Sequence, residues 1–405
     1  LANGLEIIAE CNPDAVSAAV GFFVRTGARD EPTELAGVSH FLEHMAFKGS
    51  ERRCGDDVNR AFDEIGAKYN AYTTEEQTVY HAAVLPEYLP AAADLLADLL
   101  QPALRASDFE TERQVILEEI GMYEDSPMWS AYERTMRLHF GDHPLGNCVL
   151  GSAKSVGPMT AEQMRTYHAQ WYSPSNIVVV GAGRLDWREF RRLVDEICGH
   201  WKARPVQRVL RDVGRRPASE VLKRGQFVQE CIFVAANGPP ADSPFRMAAE
   251  VLASVIGDET GSRFYWSLIE PGKIESAEFN LNPYQDAGVF LGSIGCSPSL
   301  ADENLATVRR ILAEVTSEGI TAAELEQAKN KLGSRIVLAA ERPQNRLFAV
   351  GYHWLYRRRF RSVEDDLAEL QAVTLPQIRE LLHLYPLNDL TLVCLGPLEH
   401  IDGVS

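Results

Sequence analysis

Nowhere in this 405-residue sequence does an apolar run reach the roughly 18 residues that a membrane-spanning helix needs, so no membrane span is expected. No C-x-x-C pair occurs among its seven cysteines. Cys11, Cys54, Cys148, Cys198, Cys231, Cys296 and Cys394 are scattered singly, which reads as reduced thiols, mostly core fillers, in a reducing compartment. Basic residues are in deficit, with 40 Lys and Arg against 57 Asp and Glu, for a net charge of −17. That balance argues against nucleic acid or an anionic membrane surface as the main partner. The opening Leu1-Ala2-Asn3-Gly4 carries neither a charged n-region nor an apolar h-region. The expected location is the cytoplasm, a periplasmic or organellar one staying open because the sequence begins on Leu rather than Met.

What is present is ordinary globular composition, 45% hydrophobic and 24% charged, in a chain long enough for two domains. Strand-like runs open each half, at 4–9 and 16–26 and again at 227–235. Extended pairs follow at 68–85 and 274–294, and each half closes on a short apolar strand, 177–181 and 390–395. Thr160, Gln163 and Arg165 recur as Thr374, Gln377 and Arg379, an offset of 214 residues. Pro174 and Asn176 recur as Pro386 and Asn388 at 212. The expectation is an α+β fold made of two similar domains from an internal duplication, each a mostly antiparallel sheet flanked by helices. The domains are expected at 1–203 and 218–405, joined by an Arg-rich linker over 204–217.

The helix after Thr33 carries His40-Phe41-Leu42-Glu43-His44. At 100° per residue Val38, Leu42 and Met45 form an apolar stripe, and His40, Glu43, His44 and Phe47 fall on the other side. Two imidazoles one turn apart can bind the same tetrahedral metal, and Glu43 beside them can reach a water as general base. The plainer reading is a solvated polar face that happens to hold two histidines. A third ligand would be a carboxylate on another element. Ser107-Asp108-Phe109-Glu110 reads as a capping box opening a helix to about Tyr123, with an apolar face of Phe109, Val115, Ile116 and Ile120. Glu112 and Glu119 project into that face, whereas Glu110 and Glu118 point away. A carboxylate there needs a cation or hydrogen bonds, which favours Glu119 as ligand and leaves Glu112 as a second buried acid. An ordinary buried salt bridge is the alternative for both.

These segments, with Met45-Ala46-Phe47-Lys48-Gly49, Asn70-Ala71-Tyr72-Thr73, His143-Pro144-Leu145-Gly146, Leu150-Gly151 and Tyr172-Ser173-Pro174-Ser175-Asn176, resemble the pitrilysin/insulinase family of inverted-motif zinc metallopeptidases, in particular its short, processing-peptidase-like subunits. The resemblance is dense in the first half and mainly one of layout in the second. It implies a zinc endopeptidase in which Zn²⁺ is held by His40, His44 and Glu119, Glu112 supports the site, and Glu43 moves the proton. It also implies an extended substrate added as a strand at Asn70 and Ala71, so that peptides or unfolded segments are cut inside a dimeric chamber.

The family's second half carries an Arg and, seven residues on, a Tyr that face the partner lobe's zinc site; here Ile269 and Ser276 stand in those places. Either a heterodimeric partner supplies the pair or Arg263, Tyr265 or Tyr284 substitutes, so both homodimer and heterodimer with a related subunit remain open. The offset of 214 carries His40 and His44 onto Ser254 and Asp258, so one zinc site per chain is expected. The competing function is a non-catalytic assembly or core subunit of a processing-peptidase-like complex. Gly181-Ala182-Gly183 has Asp186 where a dinucleotide-binding turn needs its third glycine, and is set aside.

Overall fold

The computed structural model describes residues 1–404 apart from Asp212, Arg215 and Arg216. The chain folds into two sheet-and-helix units of the same design. The first sheet comprises β1 (Glu6–Cys11), β2 (Ala18–Val24), β3 (Lys68–Thr73), β4 (Thr78–Val84) and β5 (Ile177–Gly183), in the order β1-β5-β2-β4-β3. The second comprises β6 (Ser219–Lys223), β7 (Glu230–Gly238), β8 (Ile274–Pro283), β9 (Gly288–Cys296) and β10 (Thr391–Gly396), in the order β6-β10-β7-β9-β8. Strand for strand the two orders are the same. In each sheet only one pair is parallel, β1 with β5 and β6 with β10, and the rest are antiparallel. The recurrent Thr and Gln have one job in both copies: Thr160 and Thr374 cap a helix by accepting from the backbone N–H of Gln163 and Gln377. The α+β duplicated architecture expected from the pattern is the one present.

Every residue of β2 and β5 is buried, as apolar runs covered on both faces must be. Phe22 and Phe23 on β2 face opposite ways, toward Trp201 and toward Phe348 with Tyr352 respectively. The second of these covers comes from far along the chain. Helix Pro343–Arg357 lays Leu347 and Val350 on Phe23, Val79, Val178 and Val180 of the first sheet. Reciprocally, helix Pro127–Phe140 packs on β7 and β10, its Ala131, Met136 and Phe140 joining Phe233, Ala235 and Val289. The two compact units are therefore discontinuous: Leu1–Gly121, Asn147–Val209 and Leu338–Ser362 form one, and Met122–Gly146, Leu210–Val337 and Val363–Ser405 the other.

The linker expected over 204–217 lies partly outside the described residues. Its first part is bound rather than free. The Arg204 N–H donates to Ser173 Oγ (2.9 Å), and the half-buried Arg208 pairs with Asp30 (2.7 Å) and reaches Glu76 (3.5 Å). β6 had no counterpart among the expected strands. Ser219, Glu220, Val221 and Leu222 are half-buried and Lys223 is exposed, too few apolar side chains to show a period. Among the described residues no helix is long and apolar enough to cross a membrane.

Candidate metal centre

The whole of the centre lies in the first unit. Helix Val38–Ala46 begins at Gly37, whose φ of +91° favours glycine and whose added Cβ would stand 2.5 Å from the Leu150 carbonyl oxygen. Gly151 approaches from the other side with φ +71°, its Cβ position 2.3 Å from the Ala36 oxygen, so the Leu150-Gly151 motif exists to let two backbones meet. The helix start is capped from a distance. The buried Glu31 carboxylate accepts from the N–H groups of Gly37 and Ser39, each at 2.7 Å. Ser39 Oγ in turn meets Tyr167 Oη (2.8 Å), which meets Thr26 Oγ1 (2.7 Å). The rotation of the helix about its axis is thereby fixed before any metal is considered.

A second helix, Ala106–Glu124, stacks Phe109 on Phe41 of the first, ring centroids 4.6 Å apart. It starts two residues earlier than the capping-box reading required, at Ala106 rather than Asp108. Ser107 therefore lies inside the first turn and bonds Asp108 rather than capping. Phe109, Ile116 and Ile120 are buried as expected, but Val115 is 43% exposed and does not belong to the packed face. Glu112 is buried, Glu119 half-buried and Glu118 exposed.

This stacking brings His40, His44 and Glu119 together, with one ligand atom of each lying within 4.8 Å of the others. Glu119 presents Oε1 to His40 Nε2 at 3.9 Å and Oε2 to His44 Nε2 at 3.6 Å, both beyond hydrogen-bond reach. The polar face is not solvated: His40 and Glu43 are 8% and 9% exposed. His40 Nδ1 is buried without a hydrogen-bond partner. Burial, helped by the neighbouring His44, pulls the His40 imidazole down to about 3, so its ring is neutral and keeps a lone pair. Burial alone would lower His44 too, but Glu112, Glu119 and Glu43 outweigh it and raise the group. His44 Nδ1 donates to Glu112 Oε1 at 2.9 Å, directing Nε2 at Glu119. Glu112 is finished by Lys48 Nζ, 2.5 Å from Oε2, and the two cations overcome its burial and lower its pKa.

Two neutral-capable imidazoles and a carboxylate converging with no protein donor between them match the donor set of zinc, so the residues fit the metal. Glu43 stands next to His44 on the same helix. Burial raises its carboxyl, and the Thr73 hydroxyl opposes this by donating to Oε2 at 2.7 Å. Thr73 and Lys48 are the residues whose roles the sequence pattern did not reveal. Lys48 is one turn beyond His44, a usable signal; Thr73 has none short of the fold.

β3 is an edge strand of its sheet, and the His40 helix packs on it. Asn70 is exposed and Ala71 buried, paired with His81 and Tyr80 of β4. The Thr74 N–H donates to the Gln77 oxygen at 2.8 Å. Antiparallel alternation from that bond commits the backbone of Tyr72 and Asn70 to β4 and turns the N–H and C=O of Ala71 and Thr73 to the free edge. Elsewhere, Ile269 ends a π-turn, Tyr265–Ile269, and Ser276 is exposed on β8. Arg263 is paired with Glu324 (2.8 Å) and Tyr284 is a core residue, 6% exposed. Ser254 Oγ bonds Asp258, which Arg335 and Lys331 also approach, at 2.5 and 3.6 Å.

Fold and site together define a class: a duplicated α+β protein with an inverted H-x-x-E-H centre beside a sheet edge. The profile of the insulinase family, peptidase family M16, matches residues 6–153, and that of the M16 inactive domain matches residues 158–332. An uncharacterised zinc protease of Mycobacterium leprae is 33% identical over 95% of this chain and 87% of its own. The chain belongs to the M16 insulinase family. The crystal structure of a protease from Helicobacter pylori has the same fold, with a TM-score of 0.92 at 20% identity, covering 98% of this chain and 97% of that one. So does a chain of Complex III from Candida albicans, with a TM-score of 0.82 at 16% identity, covering 98% and 95%.

Proposed function

We propose that this chain is a zinc-dependent endopeptidase acting on peptides or unfolded polypeptide segments, and that it works as a dimer. The observation that carries the reading is the convergence of His40, His44 and Glu119 with Glu43 one residue from a ligand. Zn²⁺, when bound, supplies a Lewis acid that polarises the peptide carbonyl and acidifies water. The chain does the rest. His40, His44 and Glu119 hold the metal, and Glu112 keeps the His44 proton on Nδ1. Glu43 Oε1, the oxygen not taken by Thr73, removes the proton of the attacking water and delivers it to the leaving amine. Burial, which raises its carboxyl above the ordinary value, favours the uptake of that proton. An extended peptide pairs with the free edge of β3 through the N–H and C=O of Ala71, with the Asn70 side chain beside it.

Two of the three stand-ins for the missing Arg and Tyr are already engaged, Arg263 by Glu324 and Tyr284 by the core. This supports a partner subunit that completes the site. The seven free thiols support a reducing compartment such as the cytoplasm.

Glu43→Gln tests the mechanism. Hydrolysis of an unstructured fluorogenic peptide should fall by about 10²–10⁴-fold while bound zinc, measured by atomic absorption, is unchanged. Undiminished cleavage would sink it. The second reading, a non-catalytic assembly subunit, rests on the fold shared with the Complex III chain. Absence of cleavage in the wild-type chain, alone and with any co-purifying partner, decides for that reading.

A further inference from the structure

We propose that Thr73 is the positioning residue for Glu43, and that it ties the strand receiving the peptide to the proton-transfer step. The inference rests on the peptidase reading above. Three observations converge on it. The Thr73 hydroxyl donates to Glu43 Oε2 at 2.7 Å, which leaves Oε1 as the free oxygen of a carboxylate that is almost fully buried. Thr73 is β-branched and lies on a strand, so its χ1 is restricted and the donor direction is set by the backbone. That backbone is itself anchored. Thr78 Oγ1, 3.4 Å from Thr73 Oγ1, donates to the Thr26 oxygen (3.1 Å), and the Thr74 N–H closes on Gln77. Two residues further on, buried Glu76 is held by Arg29 at 2.5 Å and by Arg208 at 3.5 Å.

The second half of the inference comes from strand parity. Residues 71 and 73 share both features of their position on β3: their side chains lie on one face and their N–H and C=O groups face the open edge. A peptide strand added at that edge would therefore pair with the backbone of the residue whose side chain holds Glu43. Seating of substrate and aim of the base are fixed by one residue, and the scissile bond is brought to register with Oε1.

Two variants separate this from a packing role. Thr73→Val keeps the shape and the strand preference and removes only the hydroxyl; Thr73→Ser restores the hydroxyl without the methyl. With zinc-loaded protein and an unstructured fluorogenic peptide, Thr73→Val should lower kcat about ten- to a hundredfold, the range of a lost hydrogen bond to a charged group, with KM and zinc content held. Thr73→Ser should recover most of the rate. A change in KM with kcat unchanged, or a Ser variant as impaired as the Val variant, overturns the proposal. Crystal structures of metal-free wild type and Thr73→Val give a readout that needs no turnover. The Glu43 carboxylate should leave its wild-type rotamer in the variant while His40, His44 and Glu119 keep theirs; an unmoved Glu43 overturns the proposal. Wild-type protein that binds zinc yet cleaves nothing, while Glu43→Gln behaves identically, refutes the peptidase reading instead, and the rotamer comparison still decides the role of Thr73.

Discussion

Glu112 touches His44 on one oxygen and Lys48 on the other, and neither contact is with a metal. Its work is to orient an imidazole. Such a carboxylate typically changes metal affinity by about 10–100-fold when removed. Glu112→Gln should raise the zinc dissociation constant by that factor in competition with a chromogenic chelator, with secondary structure unaltered; an unchanged constant would show that His44 is held by helix packing alone. The chemistry at this scale was legible where it follows a local period. His40, Glu43 and His44 are adjacent or one turn apart, and Glu119 is a carboxylate on the packed side of a helix. Thr73 was not legible as a partner of Glu43, because a hydroxyl on a strand has no preferred acceptor until a sheet and a helix are stacked. Val115 misled for a related reason: apolar and adjacent to Ile116, it lies just off the packed stripe and stays in solvent.

At the scale of elements, the two copies of one unit treat the corresponding helix differently. In the first copy the helix Val38–Ala46 offers two imidazoles to a carboxylate. In the second, Arg246–Gly257 ends on Asp258, which binds Ser254, Arg335 and Lys331. Burial would raise Asp258, but Arg335, Lys331 and the Ser254 hydroxyl outweigh it and hold the group below its ordinary value of 3.8. A carboxyl lowered in the fold contributes stability that is present above its unfolded pKa, about 3.9, and is lost as pH falls through the folded one. Asp258→Asn should accordingly be less stable than wild type at neutral pH, and the gap should close as urea unfolding is repeated down to about pH 3. A gap of constant size would mean that the loss is one of packing rather than charge.

For the whole molecule, the exchange of helices matters most. Leu347, fully buried, lies on the first sheet although it sits more than 160 residues beyond β5, the last strand of that sheet. Leu347→Ala should therefore destabilise the first unit by about 2–5 kcal/mol, read from urea unfolding monitored by Trp201, which lies against Phe22 of that sheet. If only the second unit's transition moved, the packing described for helix Pro343–Arg357 would be wrong. The negative net charge acts on the same scale and concerns partners, not fold.

By itself the sequence determined the repeat, the strand-rich openings and closings of each half, and the metal-type motif with its carboxylate partner. All of these are local periods or recurrences, and a period of 3.6 or 2 is written into the chain before it folds. Tertiary structure alone decided which helix covers which sheet, that β3 is an edge, that Thr73 meets Glu43 and that Lys48 completes Glu112. An amphipathic helix specifies only that it must bury a face, and any apolar sheet surface satisfies that demand. Which surface it finds, and so which hydroxyl or ammonium comes to rest beside a buried carboxylate, depends on contacts between residues far apart in the chain, and no local pattern encodes those.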